Sequence, residues 1–154
     1  MTQDISLNQF SPNSPVAGMY AYAENLPQLH NVIISSNQTV ALSAGAVLTL
    51  DASVSNTNCP VVKQATSNDV VFGVLAYTPV KNEFKANDRV CVAREHEIIW
   101  MLAESDIKLG DVLYFDENNR VVASSTGGST IGVAVTSAKQ GNYVQVELKF
   151  CVAA

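Results

Sequence analysis

Charge is scarce in this chain. Only 15% of its 154 residues are Asp, Glu, Lys or Arg, where a soluble domain ordinarily carries about a quarter. The few Lys and Arg form no run, and the formal net charge is −5. An acidic chain without a basic stripe has no means of tracking phosphates and is not drawn to an anionic membrane, so neither nucleic acid nor membrane is expected as a partner. No apolar run approaches the roughly 18 residues of a bilayer-spanning helix. Residues 1–18 lack the basic-then-apolar order of a secretory signal, so synthesis in a cytoplasm is expected. Cysteine is limited to Cys59, Cys91 and Cys151, far apart and without a Cys-x-x-Cys pair. That excludes the usual signals for a zinc knuckle or a thioredoxin-type site. Aromatic residues are 7% of the chain, few for the exposed platform of a sugar-binding module.

Reactive constellations are equally thin. Arg94-Glu95-His96-Glu97 sets a histidine among carboxylates, but alternate residues of a strand face opposite ways, so a hairpin bend is the simpler reading. Asp111, Asp116, Glu117, Asn118 and Asn119 offer oxygen ligands without the spacing of a calcium loop. Ser124 to Thr130 is Gly-rich, yet Ser129 follows the second glycine where a phosphate-binding loop needs lysine. No enzyme, metal or cofactor is expected.

Strands are abundant. From about Val32 onward, short Val-, Ile- and Thr-rich runs alternate with Asn, Asp, Gly and Ser clusters, the pattern of a small barrel or sandwich. Val144, Val146 and Leu148 alternate with Gln145, Glu147 and Lys149. Asp116 to Arg120 reads as a hairpin turn in which Asn118 and Asn119 can take positive φ. Only Leu102 to Gly110 is compatible with a single helical turn. Ile98 to Leu102 is continuously apolar, fitting a strand buried on both faces or a strand at a subunit interface; Ile99, Trp100 and Met101 are the candidates for the latter.

One phrase is written twice. Leu42 to Asp51 matches Ile107 to Asp116, with Gly45 against Gly110, Val47-Leu48 against Val112-Leu113 and Asp51 against Asp116. Val61 to Thr66 then sits against Val121 to Thr126, Phe72 to Thr78 against Ile131 to Thr136, and "RVCVA" against "YVQVE". The repeat predicts two related strand-hairpin units. Gly45 and Gly110 permit a bend before a strand, Asp51 and Asp116 close turns through their own side chains, and Gly73 and Gly132 mark a bulge or a close backbone approach. Residues 1–30 differ: Asn, Gln, Ser and Pro are mixed with spaced apolar residues, which predicts an extended N-terminal arm before a barrel at 31–154.

The run Gly110, Asp111, Val112, Tyr114, Asp116, followed by Ile131 to Ala134 and Val144 to Leu148, resembles the small decoration (cement) proteins of tailed-bacteriophage capsids. The earlier "VVFGVLAYT" and "RVCVA" resemble that family's other half, so the likeness covers about residues 40–150. It implies an all-β, β-tulip-like barrel, usually a homotrimer, made in the bacterial host cytoplasm. Such a trimer sits on the outer capsid surface, binds the major capsid protein and performs no catalysis. Under that reading Ile5, Leu7, Phe10, Met19, Tyr20 and Tyr22 of the arm are candidate capsid anchors. A small β-barrel carbohydrate- or ligand-binding module is the alternative.

Overall fold

A computed structural model describes residues 15–21, 30–54, 59–124 and 128–151. Among these residues there is no helix, and ten strands form two five-stranded arrays. The first is a closed barrel of β1 (His30–Ile34), β2 (Val47–Leu50), β3 (Val61–Gln64), β4 (Gly73–Leu75) and β5 (Arg89–Ala93), in the order β1-β3-β2-β4-β5. The second is a sheet of β6 (Ile98–Leu102), β7 (Val112–Phe115), β8 (Val121–Val122), β9 (Thr130–Ala134) and β10 (Tyr143–Cys151), in the order β6-β10-β9-β7-β8. A parallel bridge between Ala103 and Val121 brings its two edge strands together, as the parallel pairing of β1 with β3 closes the barrel.

The repeat seen in the sequence is a repeat of hydrogen bonds. Val47 faces Val74 and Val112 faces Val133; Val74 faces Ala93 and Val133 faces Glu147. Gly45 and Gly110 both have φ 89, and their N–H groups donate to Leu75 O and Ala134 O at 2.8 Å. The bridge of Leu42 with Phe84 is matched by that of Ile107 with Ala138. One alignment shifts by a residue. Ser35 N donates to Val62 O and Glu104 N to Val121 O, so Val62, not Val61, corresponds to Val121. The longer connection from Asp51 to Val61, against the short hairpin Asp116 to Arg120, hides that step in the sequence.

The hairpin has one residue at positive φ, Asn119 (φ 60), as in a type I turn with a bulge. Asn118 N donates to Asp116 Oδ1 at 2.8 Å, so the aspartate closes the turn. Leu102 to Gly110 contains no helical turn. Its place is taken by the Ile107 bridge, because Ile107 is drawn into the core at 2% exposure. Gly73 and Gly132 lie where strands approach closely: a Cβ on Gly73 would stand 2.7 Å from Ala93 O, and one on Gly132 would run into Glu147 O.

Two apolar clusters fill the molecule. One, with Val32, Leu48, Val62, Leu75 and Val92, is the inside of the first barrel. The other joins both units: Val47, Val71, Val74 and Ala93, on the outside of the first barrel, pack in one cluster with Ile99, Phe115, Ile131 and Leu148 of the second unit. The halves are therefore joined through a shared apolar core rather than strung on a linker. Asn119 Oδ1 accepts from Val47 N at 3.0 Å and Ser67 O from Ser129 N at 2.7 Å across the same seam.

Candidate interaction surfaces

Residues 15–21 form a strap along the free side of β6. Gly18 N donates to Trp100 O and Trp100 N to Met19 O, both at 2.8 Å, and Ala21 N donates to Ile98 O at 2.9 Å. Tyr77 N donates to Gly18 O at 3.0 Å, so the strap also touches the first barrel. This stretch lies within the arm expected over residues 1–30; it makes a β-bridge, Tyr20 with Ile99, to the second unit and touches the first barrel at Tyr77. The bonds fall on β6 because β10 occupies only one of its edges. Of the candidate anchors, Met19 and Tyr20 belong to the strap, and the Tyr20 ring packs against the shared core. Ile5, Leu7, Phe10 and Tyr22 lie outside the described residues.

The strap covers a small polar cluster. The Tyr20 hydroxyl sits beside the Glu97 carboxylate, whose Oε1 is 4.0 Å from His30 Nε2. Burial first, and then Glu97, hold the Tyr20 hydroxyl above the usual phenol range, so it stays protonated. His96 is in the turn between the two units at φ 74, with its N–H donating to Leu148 O at 2.8 Å.

Ile99 and Met101 are wholly buried in the shared core, and Trp100 is 7% exposed beneath the strap. Both flanks of β6 are occupied, so the structure gives this strand the doubly buried setting. Trp100 and Tyr143 meet Pro15 in a shallow groove that continues past Ser137 and Asn142 toward Asp106 and Lys139.

Several exposed apolar side chains lie away from the strap. Leu50 and Val70 are more than half exposed at one end of the first barrel, and Val112 is 48% exposed on the outside of the second unit. At the same end of the first barrel the Arg94 guanidinium lies over the Phe72 ring, 3.9 Å from its centroid. The strands carrying these residues were legible from alternation, but not which of their side chains would be left uncovered, since burial here is decided by how the two units meet.

No protein-family model and no curated protein matches this chain. Among solved structures, the N base of the head fiber gp8.5 of bacteriophage phi29 is similar. The TM-score is 0.54 at 19% sequence identity, covering 79% of this chain and 92% of that one. At this identity the likeness is one of fold, and it extends over nearly the whole of the phage domain.

Proposed function

We propose that this protein is a structural component of a tailed-phage virion that binds the outer surface of the capsid and stabilises the shell by bridging major capsid subunits as a homotrimer. The observation that carries this reading is the fold shared with a phage head-fiber base over 92% of that structure. It meets the independent resemblance of residues 40–150 to capsid decoration proteins. The strap refines the role of the arm. Met19 and Tyr20 hold the chain to its own β6, which leaves Ile5, Leu7, Phe10 and Tyr22 as the anchors offered to the capsid. Burying one Leu or Phe contributes about 1.5–3 kcal/mol, and several arms tethered on one oligomer multiply weak contacts into avidity.

The test is a deletion of residues 1–14, ending just before the strap, combined with Tyr22→Ala, so that Ile5, Leu7, Phe10 and Tyr22 are all lost. The shortened protein is expected to fold and assemble as the full chain does. It should fail to co-sediment with capsids built from the major capsid protein of the same genome. Unchanged co-sedimentation would remove the arm from the account and leave the barrel as the binding element.

A further inference from the structure

The two units are equivalent, yet each leaves bare the face that the other uses. On the outside of the first barrel Val47, Val74 and Ala93 are wholly buried against the second unit. Their register-matched counterparts are Val112, Val133 and Glu147, and all three are exposed or half-buried. Conversely, Phe115 and Leu148, at the end of the second unit that receives the first, are 5% and 0% exposed. Their counterparts are Leu50, at 51%, and Arg94, half-buried. Among the described residues, one chain thus contains one completed end-on-side contact together with one uncovered side and one uncovered end.

We propose that copies of this chain join head to tail, the open end of one copy's first barrel (Leu50, Val70, Arg94) seating on the outer row of the next copy's second unit (Val112, Val133, Glu147). The contact between copies repeats the contact already made between the halves of each chain. The occupant is a second copy because the missing surface is one the chain itself carries, in matching geometry. The differences between the two contacts are complementary in charge. Where the internal contact has Ala93 on the side and Leu148 at the end, both apolar, the external one has Glu147 and Arg94. A carboxylate and a guanidinium so placed suit a contact that forms from solution, since they fix register and disfavour wrong partners. Such a contact is heterologous: it uses two different faces and closes into a ring when the rotation permits. The inference stands on internal symmetry alone and is independent of capsid binding.

Light scattering coupled to size exclusion, on the full chain, tests it. The parent is expected to run at a multiple of its 16.5 kDa chain mass. Leu50→Asp and Val112→Asp, one on each face, should each fall to the single-chain mass. Mixing them restores one good junction, between the Val112→Asp copy's intact end and the Leu50→Asp copy's intact side. A heterodimer of twice 16.5 kDa should then appear at the highest soluble concentration. Circular dichroism and a thermal melt establish that each variant is folded, with Val70→Asp and Val133→Asp as second variants on the same faces. A monomeric parent, which would place another occupant such as residues 1–14 or a capsid subunit on these faces, overturns the proposal. So does a variant that keeps the parent's mass, or a mixture that yields no heterodimer.

Discussion

Asp51 and Asp116 hold the same place in the two repeats, and comparing them shows how much a single residue's surroundings decide. Asp116 accepts from the N–H groups of Asn118 and Arg120 in an open hairpin. Asp51 is 4% exposed and gathers the hydroxyls of Ser35 and Ser53, each at 2.6 Å, together with the Ser53 N–H at 3.0 Å. The Ser35 hydroxyl foremost, and then Ser53, hold the Asp51 carboxyl well below the usual carboxylate range. A carboxyl depressed in the folded state adds stability above its unfolded value, about 3.9, and loses it as the pH falls toward the folded value. Asp51→Asn should therefore lower the melting temperature at neutral pH, with the gap to the parent narrowing below about pH 4; melts across that range check it. Gly132 offers a second test. A Cβ there would meet the Glu147 carbonyl, so Gly132→Ala should cost about 1–3 kcal/mol, read by denaturant unfolding. Both residues were marked by the sequence, as a turn aspartate and an intra-strand glycine. Their partners Ser35 and Glu147 were not, because those contacts join segments distant along the chain.

At the scale of elements, strand alternation and turn residues foretold β7 and β10, whose side chains divide between a buried and a more open face, and also β2, in which Val47, Leu48 and Thr49 are all buried. The strap was not foretold. Residues 15–21 have too few positions to show a period, and their structure comes from the vacant edge of β6, which is a property of the sheet and not of the segment. Leu102 to Gly110 went the same way: a weak local tendency to turn helically yielded to the burial of Ile107 and its bridge to Ala138. The single tryptophan reports on the strap directly, since Trp100 exchanges backbone bonds with Gly18 and Met19. Removing residues 1–14 should leave Trp100 emission unchanged. Removing residues 1–21 should shift it to longer wavelength and increase quenching by acrylamide. Equal spectra for the two truncations would contradict the docking of the strap.

For the whole molecule, the duplication was legible because Gly45 with Asp51 and Gly110 with Asp116 keep the same spacing, and the strand orders of the two units agree with it. What the repeat could not disclose was the manner of their union. Val47, Val74 and Ala93 read in sequence as ordinary strand residues, and only packing shows them as the seam between the halves. That seam makes one body from two similar units, presenting strands and turns to its surroundings. Imaging capsids of the same genome, lacking this protein, before and after its addition tests the account most directly. It predicts new density on the outer surface at regular lattice positions, spanning neighbouring capsid subunits; capsids left bare by saturating protein would contradict it.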